Sequence, residues 1–345
     1  MGQSGNPQPV PAAPAGDPDP AALAAGLRAG RRRALARAIT LVESTRPEHR
    51  DRAEALLAEI LPGAGKAFRI GISGAPGAGK STFIEAFGEF LTGHGHKVAV
   101  LAVDPSSLLS GGSILGDKTR MPKLAANANA FIRPSPGGRS LGGIARRTRE
   151  AIALVEAAGF DIVLVETIGV GQAEVAVAEL VDMFFLMLAP ASGDELQGLK
   201  RGIVEIADLI VVTKADGELL AAARRAAAEY ANALGFMRPK TALWKSSVAL
   251  VSSPQGEGIT EVWRSACDFR AKLAAAGELD RRRAEQARAA LWREISESFG
   301  DMLRGHPAVA PVLPRIETEV MAGRRSPTSA ARDILARFTG AADRG

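Results

Sequence analysis

The octapeptide GAPGAGKS, Gly74 to Ser81, follows directly on the apolar run AFRIGIS at 67–73. Three glycines and a proline in eight residues offer almost nothing to a hydrophobic core, yet they interrupt what reads as a buried strand. The spacing is that of the phosphate-binding loop, G-x-x-x-x-G-K-[ST]. Bare backbone lets successive N–H groups wrap an anion. The amphipathic run STFIEAFGEFL then predicts a helix from about Lys80 to Leu91, whose positive dipole end points at the same spot. Gly74, Ala75, Pro76, Gly77, Ala78, Gly79, Lys80, Ser81 and Thr82 are therefore expected to bind nucleotide phosphates. Lys80 would reach the β- and γ-phosphates and the Ser81 hydroxyl would bind Mg²⁺.

The base is chosen elsewhere. TKAD, Thr213 to Asp216, closes an apolar run in the position of the N/T-K-x-D motif. An aspartate there accepts from guanine N1–H and the 2-amino group together. Adenine would leave the carboxylate unpaired. Lys214 would lay its stem over the base, and Thr213 stands where asparagine is commoner. Ser252, Ser253 and Pro254 follow the next apolar run, where a second base-contacting loop is expected. The fourth run ends DIVLVETIGVGQ, in which Glu166 and Gly169 have the spacing of D-x-x-G with Glu for Asp. A carboxylate here can hold a Mg²⁺-bound water, and the Gly169 amide can sense the γ-phosphate. Val170 stands where Ras-like proteins carry a water-orienting glutamine, so basal hydrolysis should be slow. Asp104 in AVDPSS ends the second strand, and Asp117 lies in the glycine-rich stretch GGSILGDKTRM; both are candidate magnesium or nucleophile-positioning carboxylates.

Seven short runs rich in Val, Ile and Leu (FRIGIS, KVAVLAV, NAFIRP, DIVLVE, DMFFLMLA, DLIVVTK and VALVS) alternate with helical segments. The alternation predicts an α/β fold of the P-loop NTPase kind. Its sheet is mostly parallel and doubly wound, with ligands at the carboxyl ends of the strands. Four regions are expected: a disordered Pro/Ala/Gly-rich tail at 1–20, an N-terminal helical extension at 21–64, a nucleotide domain at 65–265, and a C-terminal helical arm at 266–345. The extension reads as one helix from Ala21 to about Ser44 and a second opened by Pro47. Among 345 residues the net charge is +5, with local basic clusters at RAGRRRALAR and DRRRAEQAR. Helices of this kind mostly present solvated faces or contact acidic partners, and no nucleic-acid partner is expected. The single cysteine, Cys267, excludes a disulfide framework. No apolar run of about eighteen residues predicts a membrane span, and a cytoplasmic location is expected.

Together these strings resemble the MeaB/ArgK/MMAA family of P-loop GTPases, in the signal-recognition/MinD/BioD class. The resemblance runs from about Arg31 to about Phe338. It is carried by GAPGAGKST, AVDPSS, GGSILGDKTRM, FIRPSP, VETIGVGQ, GDELQGLKRGIVEIADLIVVTKAD and GEGITEVW. The resemblance implies a GTP-dependent chaperone of an adenosylcobalamin-dependent acyl-CoA mutase, which gates cofactor loading and protects or rescues the enzyme. It implies GTP/GDP and Mg²⁺ as cofactors, with Ser81, Asp104, Asp117 and Glu166 around the metal. It also implies a homodimer and a mobile segment matching 190–200, in which Lys200 is the candidate for an activated-state contact. Leu108-Leu109-Ser110 departs from the polar residues of relatives and leaves the client mutase open. A metal-insertion GTPase would need soft or imidazole ligands, for which four scattered histidines (His49, His94, His96 and His306) are a poor supply. A transport-linked P-loop kinase would need an acceptor pocket and no guanine-reading aspartate.

Overall fold

The computed structural model describes residues 19–103, 120–134, 141–167, 173–190 and 201–340. Seven strands form a single sheet: β1 (Phe68–Gly74), β2 (Val98–Val103), β3 (Ala130–Pro134), β4 (Ile162–Thr167), β5 (Met183–Leu188), β6 (Leu209–Val212) and β7 (Ser247–Leu250). Their order is β3-β2-β4-β1-β5-β6-β7, and every neighbouring pair is parallel. The apolar runs do not alternate with polar residues because both faces are covered. In β2, Val98 and Val100 enter one core and Ala99, Leu101 and Val103 the other.

One face is covered by α4 (Lys80–Gly93), α5 (Pro122–Ala126) and α10 (Ile259–Ala275). The other carries α1 (Pro20–Arg28), α2 (Arg32–Glu43), α3 (Pro47–Ile60) and α6 (Leu141–Ala157). Two short helices, α7 (Ala173–Ala178) and α8 (Arg201–Ile206), precede β5 and β6, and α9 (Leu220–Gly235) precedes β7. The segment expected as one helix over 21–44 is two. Gly30 takes a left-handed φ of 65°, and Arg31 donates its backbone N–H back to Gly26, so the chain turns sharply there. The helix also begins earlier than expected: Asp19 caps α1 by accepting from Ala21 and Ala22 at 3.4 and 3.2 Å. Leu27, Leu35, Ile39, Leu56 and Ile60 of the extension are fully buried against α6 and the sheet. Each such side chain stabilises the fold by about 1.5–3 kcal/mol, so these helices are part of the core.

The boundary expected at 265/266 falls inside α10, whose Ile259, Val262, Ala266, Phe269 and Leu273 are buried under the sheet. Beyond it run α11 (Glu278–Gly305), α12 (Leu313–Met321) and α13 (Pro327–Phe338). In the 28 residues of α11 only Leu279 is buried. Leu291, Trp292, Ile295, Phe299 and Met302 lie exposed further along.

Candidate nucleotide site

Strand order places the site. From β1 the chain crosses past β4 to β2, and from β4 it crosses past β1 to β5. Connections leaving two adjacent strands in opposite directions open a crevice at their carboxyl ends. The phosphate loop springs from β1 into that crevice, and Glu166 reaches it from β4, in register with Ile72.

The loop geometry explains its glycines. A Cβ on Gly74 would stand 2.3 Å from the Met187 carbonyl oxygen of β5, so only glycine lets the loop leave the sheet there. Gly79 enters α4 with a left-handed φ of 80°. Pro76 and Gly77 form the exposed crest, Ala78 is buried beneath, and Thr82 is exposed on the first turn of α4. Lys80 is buried and donates from Nζ to the Gly74 and Ala75 carbonyls at 2.6 and 3.1 Å. Burial pushes its pKa below the usual lysine range, while Glu166 and Glu174 pull it back up and Arg120 lowers it further. Glu174, at the start of α7, and Arg120 belong to this electrostatic environment; no motif in the sequence marks either, and the one signal for Glu174 is a glutamate four residues beyond Val170.

The Ser81 hydroxyl donates to Glu166 Oε1 at 3.2 Å, and Glu166 is only 3% exposed. Behind it the hydroxyls of Ser73 and Thr167 are 2.8 Å apart, locking β1 to β4. A hydroxyl beside a buried carboxylate is a hard-oxygen pair of the kind Mg²⁺ takes, so these residues fit that ion. Asp104, Asp117, Gly169 and Lys200 lie outside the described residues, as do Val170 and Leu108-Leu109.

The base loops sit alongside. Thr213 is buried, and its hydroxyl lies 2.8 Å from the Ala78 carbonyl and 3.0 Å from that of Leu188. It thus ties the phosphate loop to the TKAD loop, the linking task for which threonine suffices in place of asparagine. Lys214 adopts φ 53°, the one non-glycine residue with positive φ among the described residues, and its side chain is exposed. Such a conformation costs of order 1 kcal/mol or more and persists only where the surroundings impose it. Here Thr213 N–H is bound to Leu188 O at 2.8 Å and Ala215 N–H to Val251 O at 3.1 Å, pinning both flanks. Asp216 accepts a short hydrogen bond from the Ser252 hydroxyl at Oδ2. Ser252 is itself buried and held by a two-way backbone pair with Glu257, both at 3.1 Å. The structure therefore brings Thr213, Lys214, Asp216 and Ser252 together. Ser253 is half-buried and Pro254 exposed at the turn beyond. Ser252 has a sharper part than the sequence suggested: it orients the carboxylate.

Three comparisons bear on this arrangement. The family described as "Methylmalonyl Co-A mutase-associated GTPase MeaB" matches residues 35–308. The mouse protein named "Methylmalonic aciduria type A homolog, mitochondrial" is 50% identical over 326 residues, covering 92% of this chain and 79% of that protein. A probable GTPase of Mycobacterium tuberculosis is 51% identical over 313 residues, 91% of this chain and 93% of the relative. A solved structure described as "LAO/AO transport system kinase" is 37% identical, covers 93% of this chain and 97% of its own, and superposes with a TM-score of 0.75. The chain belongs to the MeaB family of methylmalonyl Co-A mutase-associated GTPases.

Proposed function

We propose that the chain hydrolyses GTP and couples turnover to assistance of an adenosylcobalamin-dependent acyl-CoA mutase. The observation that carries the GTPase reading is the convergence at one sheet edge of Lys80, the Ser81–Glu166 pair at 3.2 Å and the Ser252-held carboxylate of Asp216. Loop amides wrap the phosphates. Lys80 exchanges the Gly74 and Ala75 carbonyls for phosphate oxygens, which are stronger acceptors for an ammonium. Burial lowers the pKa of this ammonium, and the carboxylates of Glu166 and Glu174 oppose that shift. Asp216 accepts from guanine N1–H and the 2-amino group, and Ser252 fixes the plane in which it does so. Ser81 and Glu166 would hold Mg²⁺, with Asp104 and Asp117 as further candidate ligands, and the ion when bound neutralises charge building on the phosphates.

Assistance to a mutase rests on family membership and on the names its relatives carry. The arm that we assign to a homodimer comprises α11 to α13. Its Trp292 is 62% exposed, and the neighbouring exposed apolar side chains form a surface that a second copy would cover. Val170 cannot orient water, so the isolated protein should turn over well below about one per second, and the mutase should accelerate it. Turnover of wild type and Lys200→Ala, each with and without an adenosylcobalamin mutase, tests this reading. Similar basal rates, stimulation of wild type and selective loss of stimulation in the variant are expected, with GDP and free phosphate as products. Equal stimulation of both proteins, or none by any such mutase, overturns the coupling.

A further inference from the structure

The basic run RAGRRRALAR divides into two kinds of arginine. Arg32 is spent internally: its Nη2 donates to the carbonyls of Asn127 and Ala128 at 2.7 and 3.0 Å and to that of Ala130. Arg33 and Arg37, one helical turn apart on α2, make no ion pair among the described residues. They line a cavity of about 740 Å³ that Arg46 closes from the loop before α3 and Arg133 from β3. The volume lies within the range of about 300–1,000 Å³ usual for small-molecule sites.

An amphipathic helix on its own presents a solvated basic stripe, not a hollow. Here the hollow has a built floor. Arg133 donates to Glu43 Oε2 at 2.6 Å and to the Thr40 hydroxyl at 3.2 Å, and the Glu43 side chain is 5% exposed. Arg133 Nε is buried with no hydrogen-bond partner among the described residues. Among the described residues that line the hollow, four guanidinium groups meet one carboxylate, that of Glu43, which holds Arg133. The remaining like charges repel across a concave surface, where field lines focus. Guanidinium forks match phosphate oxygens in pairs, whereas single carboxylates would leave most of these donors unused.

We infer that the cavity between α2, the 44–46 loop and β3 binds a small soluble molecule carrying two or more phosphate groups, at a place separate from the phosphate loop. Nothing in the reaction at the nucleotide site uses these arginines, so their substitution should leave GTP turnover unchanged.

Inorganic tripolyphosphate, titrated calorimetrically into the full chain, tests the assignment. The phosphate loop would also take this probe, so the titration is run on Lys80→Ala alone and on Lys80→Ala combined with Arg33→Gln and Arg37→Gln. One saturable site is expected in Lys80→Ala, at least about tenfold weaker once the two arginines are replaced, since each charge-assisted hydrogen bond is worth about a factor of ten or more. Single inorganic phosphate should bind far more weakly than tripolyphosphate. Retained melting temperature in the combined variant separates lost binding from lost fold, and Arg33→Lys with Arg37→Lys should recover part of the affinity. No saturable binding to Lys80→Ala, or binding indifferent to Arg33 and Arg37, overturns the proposal. So does arginine-dependent binding of an oligoglutamate peptide without binding of tripolyphosphate, which would make the hollow a protein-docking surface instead.

Discussion

The two edges of the sheet both carry carboxylates, of which Asp182, Asp208 and Glu166 are buried, and they use them oppositely. At the amino edge Asp161, Asp182 and Asp208 each stand one residue before a strand. Each accepts a backbone N–H within one residue of the start of a neighbouring strand: Lys97 at 2.6 Å, Arg69 at 2.9 Å and Phe184 at 2.8 Å. Each also meets a basic side chain: His96 at 2.6 Å, Arg283 at 2.5 Å and Lys240 at 3.1 Å. At the carboxyl edge Glu166 and Asp216 are held by hydroxyls, those of Ser81 and Ser252. A carboxylate engaged by a basic side chain and a backbone amide staples the fold. One steadied by a hydroxyl keeps acceptor capacity for a cation or a base. Burial alone therefore does not mark a functional acid; the partner does.

The largest effect expected from this contrast is at the carboxyl edge. Lys80→Ala removes the main cation for the phosphates and should weaken GTP binding by at least about a hundredfold, or abolish turnover, without lowering the melting temperature. Wild-type turnover in that variant would break the phosphate-loop assignment.

At the amino edge the effect should be on stability instead. Arg283→Met leaves Asp182, which is fully buried, without its guanidinium. Stranding a buried charge costs about 3–5 kcal/mol, to be read by denaturant unfolding, while GTP affinity in the folded fraction stays as in wild type. Lost affinity with intact stability would erase the distinction between the edges.

A smaller effect belongs to the contact of the arm with the domain. Burial pushes the Glu150 carboxyl up to about 7 from an ordinary 4.5, against the pull of Arg146 and with the push of Glu294. Arg146 reaches from α6 to Glu294 of α11 at 3.2 Å, so this group sits where the arm leaves the domain. The folded chain holds a proton there that the unfolded chain releases earlier. The associated stability is full below about pH 4.5 and is lost as pH rises towards 7, a change of at most about 3 kcal/mol. Glu150→Gln should flatten that part of the pH profile of the melting temperature; an unchanged profile would contradict the burial argument.

Much of the carboxyl edge was legible in the sequence because its chemistry is local. GAPGAGKS, VETIG and TKAD each close an apolar run, and the run itself puts them at a strand end. The seven strands were legible for the same reason. What escaped was long-range. Arg283 and Asp182 lie 101 residues apart, and no periodicity reveals that DRRRAEQAR plugs into the start of β5. The Thr213 hydroxyl lies against Ala78 O, 135 residues earlier, a contact that TKAD by itself does not reveal. The break at Gly30 was hidden because the flanking alanines and arginines keep helical spacing through it.

The hydroxyl-held carboxylate of Asp216 is proposed to read guanine. Nucleotide preference of Asp216→Asn, measured as turnover of GTP, ATP and XTP beside wild type, tests it most directly. Asparagine donates to the 2-oxo group of xanthine where aspartate only accepts, so preference should move from GTP towards XTP by roughly 10²-fold or more, since buried hydrogen-bond mismatches cost a few kcal/mol. An unchanged preference for GTP over both ATP and XTP would remove Asp216 from the base pocket.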